Sequence, residues 1–379
     1  MSELKYWLWL TLKRELSIRA TTLLLDHFGT PEKVYFADSD AIASVPGLKK
    51  PERQAADNKD LQKAYRVIEV CKKKHIKILA FDSPYYPRIL TSIYDPPYVL
   101  YARCRERIDL NEHVTLAVVG TRRPTSYGKT TATDLSKALA ESGMTILSGM
   151  ADGIDSCAAE GALSAGGKTV AVLGCGVDIC YPPGNSKLMK KIIDNGLVLS
   201  EFPPGSPPLP KHFPMRNRII SGLSLGTVVI EAPNRSGALI TARIAGEQNR
   251  EVFSVPADIT RAKSRGSNQL LQEGAKPVLC PEDILSEFQD RFLELLKKNR
   301  PILQLSEQKT QEVRQQEPIY ISLDDTEKKV MSMLSDEPRH IDQLANQGLS
   351  LAELTATLTL LEMKGLVRQL PGKQYIVTL

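Results

Sequence analysis

The stretch PLPKHFPMRNRIISGLS holds Lys211, Phe213, Arg216, Asn217 and Arg218 within eight positions, and no acidic residue lies between Glu201 and Glu231. Cations without competing carboxylates suit a polyanion, and an aromatic ring beside them can stack on a base. Phe213 serves that role or is core; the spacing allows both. The helical pattern beginning at Arg216 sends Ile219, Ile220 and Leu223 inward and is expected to leave Arg216 and Arg218 reaching out. Two further loops suit phosphate. Gly120 is followed by Arg122 and Arg123, with Tyr127-Gly128-Lys129 opening a helix. A glycine there lets an anion approach the backbone, the helix start offers free N–H groups, and arginine forks onto phosphate. The second loop runs from Ile230 and Glu231 through Asn234 and Arg235 to Ser236 and Gly237, passing from a strand into a helix start that can cradle an anion.

Other constellations are weaker. Gly174-Cys175-Gly176 follows a strand but lacks the third glycine of a dinucleotide fingerprint. Asp152 and Asp155 near a helix start read as turn and cap residues before acid–base groups. The six cysteines are scattered, with no CxxC pair and no histidine at a ligand spacing, so reduced thiols are expected and no metal or other cofactor is called for. The net charge of +5, from 49 basic and 44 acidic residues, permits nucleic-acid binding only through clustering. No apolar stretch is long enough for a membrane span, so a cytoplasmic protein without membrane insertion is expected.

These loops need a scaffold. From about Thr115, short apolar runs (TLAVVG, TILSG, TVAVLG, LVLSE, TVVIEA, EVFSVP) alternate with helical stretches. That alternation predicts a doubly wound α/β sheet, mostly parallel, with ligands beyond the carboxyl ends of its strands. Residues 1–100 read as a small helical domain, in which Val45-Pro46-Gly47-Leu48 with Lys49 and Lys50 is either a packing turn or a phosphate-presenting hairpin. Residues 101–296 form the expected sheet domain carrying the anion-suited loops, and 297–325, rich in Gln, Glu and Lys, a linker. Residues 326–379 follow the order of a winged helix, with a recognition helix from Ser350 to Lys364 and strands joined at Pro371-Gly372-Lys373. Six basic residues equal six acidic ones there, so protein contact or weak DNA binding suits the segment at least as well as base reading.

Taken in order over residues 117–276, the strings GTRRPTSYG, SGMADGIDSCAAEGAL, GKTVAVLGCGVDICYPPGN, LSEFPPG, FPMRNRIISGLS, RSGALITARIAGEQNREVFSVP and GSNQLLQEGA resemble the DNA processing protein A family (DprA, also called Smf). The flanks also resemble its sterile-alpha-motif-like or helix-hairpin-helix module and its optional winged helix. The resemblance implies an extended Rossmann fold and a non-catalytic homodimer that binds single-stranded DNA and loads the recombinase RecA during natural transformation. It also implies that Arg122, and with it Arg123, holds phosphate, that Lys211, Phe213, Arg216, Asn217 and Arg218 continue the groove, and that Ser236 and Gly237 line it. Lys187 is a weaker carry-over, and dimer and recombinase contacts fall roughly between Glu247 and Glu287. One departure is Val255-Pro256-Ala257-Asp258, where the family has glycine after the proline; a turn needing positive φ would be strained by Ala257. A competing reading is a nucleotide-processing Rossmann enzyme, although the PGGxGTxxE string of that class is missing and the nearest counterpart, APNRSGALITA, has no following Glu until Glu247.

Overall fold

The computed structural model describes residues 3–301, 324–334, 339–345, 350–363, 366–370 and 374–377. The chain divides into two compact units, Met1–Leu303 and Gln304–Leu379.

The first unit opens with six helices, α1 (Leu4–Thr11), α2 (Ile18–Phe28), α3 (Pro31–Phe36), α4 (Ser39–Ser44), α5 (Lys50–Asp57) and α6 (Gln62–Lys73). Their boundaries follow local capping chemistry. The Ser17 hydroxyl accepts the Ala20 N–H at 3.1 Å, and the Asp38 carboxylate accepts that of Ala41 at 2.7 Å. Trp7, Leu8, Trp9 and Leu10 are buried together, and the Trp9 indole N–H donates to the Asn58 carbonyl at 2.9 Å. The Val45–Leu48 turn is a packing element: Val45 and Leu48 are buried, Gly47 has φ of 82°, and Arg19 donates to the Gly47 carbonyl at 3.4 Å.

Nine strands follow, β1 (Lys77–Ala80), β2 (Val99–Arg103), β3 (Thr115–Val119), β4 (Thr145–Ser148), β5 (Thr169–Val172), β6 (Leu197–Ser200), β7 (Gly226–Val229), β8 (Glu251–Ser254) and β9 (Lys276–Pro277). Their order in the sheet is β1-β2-β6-β5-β4-β3-β7-β8-β9. The strands from β3 to β9 run parallel, whereas β2 is antiparallel to both β1 and β6. The helical reading of residues 1–100 therefore stops short of its boundary: β1 and the start of β2 belong to the sheet. Trp7 lies parallel to Tyr98 with ring centroids 6.0 Å apart, and one apolar cluster runs from Leu8 and Leu10 to Ala171 and Val198. The helices and the sheet edge thus share a core.

The connecting helices are α7 (Ser126–Glu141), α8 (Ile154–Ser164), α9 (Ser186–Asn195), α10 (His212–Gly222), α11 (Gly237–Glu247), α12 (Arg265–Gln272) and α13 (Glu282–Lys298). Helices on both faces explain why all five residues of β3 and all four of β4, β5, β6 and β7 are buried. Each buried Val or Leu side chain contributes about 1.5–3 kcal/mol. At the departure noted in the sequence, Ala257 is not among the residues with positive φ. Its N–H donates to Asn268 Oδ1 at 3.1 Å and its carbonyl accepts from Asn268 Nδ2 at 2.8 Å, so the loop is held without a left-handed residue.

The second unit has the winged-helix order: α14 (Asp325–Met333), β10 (Arg339–His340), α15 (Ile341–Ala345), α16 (Leu351–Met363), β11 (Val367–Leu370) and β12 (Gln374–Val377), with strand order β10-β12-β11. Val330, Leu344, Leu354, Leu358 and Leu361 form its core. The Pro371-Gly372-Lys373 turn and most of the 297–325 segment lie outside the described residues.

Candidate nucleic-acid interface

The strand order reverses at β3, whose neighbours are β4 on one side and β7 on the other. Loops leaving adjacent strands at such a point diverge, and the gap between them is where open α/β sheets bind ligands. Here the two loops are Gly120–Thr125 and Glu231–Ser236, the two read as phosphate cradles. They are tied together at the base. The Thr121 N–H donates to the Glu231 carbonyl at 2.7 Å, and the Glu231 carboxylate accepts the Thr125 N–H at 2.8 Å and its hydroxyl at 3.2 Å. Glu231 is 1% exposed, and a Cβ at Gly128 would collide with its carboxylate. Gly153, with φ of 84°, lets the start of α8 pass beneath, where the Ile154 N–H donates to the Thr121 carbonyl at 3.2 Å.

Between the loops lies a cleft of about 580 Å³, lined by Arg122, Tyr181, Phe213, Asn217, Arg235 and Ser236 among others. Ser236 caps α11 by accepting the Ala238 N–H at 3.3 Å, and Gly237 beside it faces open space. Phe213 is half-buried. Gly174 accommodates it, since a Cβ there would sit 3.1 Å from the ring, so the GxG element serves packing. Tyr181 lies 5.4 Å from Phe213 between ring centroids, and the Arg122 guanidinium is 5.7 Å from the Phe213 ring. The cleft wall thus combines an aromatic pair with an exposed cation in cation–π range.

The arginines of α10 differ from expectation. Arg216 is 5% exposed, and its Nη1 donates to the carbonyls of Gly149, at 2.9 Å, and Val172. Arg218 is also largely buried, its Nη2 donating to the Glu201 carboxylate at 2.5 Å. Neither side chain reaches out into solvent. Helical geometry explains it: 216, 219, 220 and 223 recur at i, i+3, i+4 and i+7, so Arg216 lies on the apolar stripe itself. Arg218 shares its side of the helix with buried Ser221 and Gly222. Burial lowers the Arg216 pKa to about 10, with Asp155 opposing the shift. Burial pushes the Asp155 carboxyl up, against Arg216 and the N–H groups of Ala151 and Gly149, which hold it at 3.4 and 3.0 Å. Arg216 and Asp155 both line the cleft floor, where they brace the 149–155 loop.

Of the residues singled out in the sequence, Arg122, Phe213, Arg216, Asn217, Ser236 and Gly237 meet at the cleft. Arg123, Lys187 and Lys211 are exposed but not part of its lining, and Arg218 is engaged by Glu201. Sequence reasoning passed over Tyr181, Asp155 and Arg235 as site residues. Arg235, flanked by Asn234 and Ser236 just before a helix start, was the legible one; Tyr181 reaches the cleft only through the path of the loop after β5.

A doubly wound sheet with an anion-suited cleft at its switch point defines a Rossmann-like binding protein, here carrying a winged helix. Residues 77–289 match the family model of DNA recombination-mediator protein A, and residues 314–373 match that of the DprA winged helix domain. The chain belongs to the DNA recombination-mediator protein A family. It is 36% identical over 393 residues to Protein Smf of Synechocystis sp., covering 99% of this chain and 98% of the relative. DNA processing protein DprA of Streptococcus pneumoniae is 45% identical over 204 residues, 54% of this chain and 71% of that protein. An X-ray structure of S. pneumoniae DprA superimposes with a TM-score of 0.66 at 34% identity, over 76% of this chain and 99% of its own. A Helicobacter pylori DNA processing protein A structure, described for its single-stranded DNA binding mode, gives a TM-score of 0.51 at 30% identity over 57% and 96%.

Proposed function

We propose that this chain binds single-stranded DNA in the switch-point cleft and acts without catalysis as a recombination mediator, protecting incoming strands and loading the RecA recombinase during DNA uptake. The observation that carries the reading is the pairing of an aromatic wall, Tyr181 and Phe213, with Arg122 and an open helix start at Gly237. Rings stack on any base and the cation and N–H groups take phosphate, a combination suited to a flexible strand rather than to a base-paired duplex. The H. pylori relative's DNA-binding description supports it. In this reading residues 1–76 are a helical module, 77–296 the binding core to which β1 and β2 belong, 297–325 a linker and 326–379 an accessory winged helix. The protein works as a cytoplasmic homodimer. Ile259 and Leu279, 83% and 82% exposed, lie within the 247–287 stretch assigned to dimer and recombinase contact and support that assignment.

A nucleotide-processing enzyme is less well supported, because Glu231, the carboxylate at the loop corresponding to that class, is buried and accepts hydrogen bonds from Thr125. The test is fluorescence anisotropy of labelled oligothymidine at two salt concentrations, beside a duplex of equal length. If four cations engage phosphates, the slope of log affinity against log salt is about −2.8. A slope near zero, or no preference for the single strand, would reject the reading.

A further inference from the structure

The cleft is not the only concentration of positive charge. Three segments distant in sequence are brought together by Lys77 beside Cys104 and Arg105 against Ile193: 72–77 reads KKKHIK, 103–107 reads RCRER, and α9 carries Lys187, Lys190 and Lys191. Together they hold ten Lys or Arg, with Glu106 and Asp194 within the same segments and Asp178 paired with Lys74. Helix α9 buries Leu188, Met189 and Ile192, which leaves Lys187, Lys190 and Lys191 exposed on its opposite face, three and four positions apart.

The helix has a fixed course. At its start, Asn185 Nδ2 donates to the Met150 carbonyl at 2.9 Å and to Ser156 Oγ at 3.0 Å, which anchors it beside the loop bearing the cleft residue Tyr181. At its far end, the Ile193 carbonyl accepts the Arg105 N–H at 2.7 Å. Lys77 Nζ lies 3.7 Å from Cys104 Sγ, placing that lysine beside Arg105. Lys74 is paired with Asp178 at 2.6 Å, but among the described residues Lys190, Lys191 and Arg105 form no ion pair. Unpaired cations on a helix that starts beside the loop carrying the cleft residue Tyr181 suit an electrostatic track.

We propose that a single strand leaving the cleft continues along the outer face of α9 to Arg105 and Lys77, so that the protein covers a longer stretch of phosphodiester than the cleft alone holds. This rests on the single-strand reading above. The track recognises backbone charge without base preference, since no aromatic side chain interrupts Lys187, Lys190 and Lys191 on α9.

The test compares the full chain with its Lys190→Ala/Lys191→Ala/Arg105→Ala variant, using a short oligothymidine that fills the cleft and one about three times longer. The variant is expected to bind the short oligomer within about twofold of the wild type, to lose the tighter binding shown by the wild type on the long oligomer, and to show a long-oligomer salt slope shallower by about 2. An unchanged thermal midpoint identifies the loss as one of contact. A variant that keeps both the length gain and the wild-type slope overturns the track while leaving the cleft intact. Failure of the wild type to bind either oligomer overturns the cleft reading and the track with it.

Discussion

The arginines on the two sides of the cleft make opposite uses of the same side chain. On the loop after β3, Arg122 is exposed and stands over an aromatic ring. On α10, Arg216 and Arg218 are buried, one holding backbone carbonyls and the other a carboxylate. In the proposed reading a guanidinium under the site shapes it and one at its rim recognises the strand. The cationic run of α10 is largely scaffold, whereas in that reading recognition falls to sparser loop residues.

The comparison breaks most visibly at Arg216. Arg216→Met leaves two carbonyls and the buried Asp155 uncompensated, and the expected loss is about 3–5 kcal/mol in chemical denaturation. A loss below about 1 kcal/mol would mean that the buried network does not brace the loop.

Arg218→Met is expected to cost about 3 kcal/mol near neutral pH, by isolating the Glu201 carboxylate. Burial already pushes the Glu201 carboxyl above its ordinary value, with Arg218 opposing. A carboxyl with a raised folded-state pKa is least costly when protonated, below its unfolded-state value, and stability is lost as pH rises through the folded-state value. The deficit of Arg218→Met should therefore shrink toward acid pH. Thermal melts across the acid range check this; a deficit constant with pH would locate the cost in packing instead of charge.

At the exposed rim the expected pattern inverts. Arg122→Ala should leave stability within about 0.5 kcal/mol, yet weaken oligothymidine binding about tenfold through loss of a charge-assisted contact. Equal losses of stability and affinity would erase the distinction between the two arginine sets. The smallest effect belongs to the helical module. Gly47→Ala forces a side chain to φ of 82° beside Arg19, at a cost of about 1 kcal/mol. Oligothymidine affinity should not change; a weakened affinity would restore the Val45–Leu48 turn as a phosphate contact.

Much of this architecture is legible in the sequence because parallel strands buried on both faces are continuous apolar runs ended by glycine or polar loops, as at Gly120. The edge is not. KILA and VLYAR match the parallel strands in length, but no α-helix separates them to mark the strand–helix alternation, and the antiparallel pairing of Tyr101 with Ser200 joins residues about a hundred positions apart. At the site, Arg122, Ser236 and Gly237 are readable because helix starts and glycine turns are local features. Arg216 had a local signal too, its place on the stripe of Ile219, Ile220 and Leu223, which the cationic composition of the run obscured. Arg218 had none, for its direction depends on Glu201, carried by the loop after β6.

The sequence by itself determined the alternation of strand and helix, the positions of the two glycine-bearing loops and the winged-helix order, since each depends on residue types within a few positions of one another. Only the tertiary structure decided which cations face solvent, which residue of the 173–185 loop reaches the cleft, and that the end of α9 meets Arg105. Those outcomes depend on burial and on partners contributed by other layers of the fold, and a side chain's partner across a sheet leaves no mark on its neighbours in the chain.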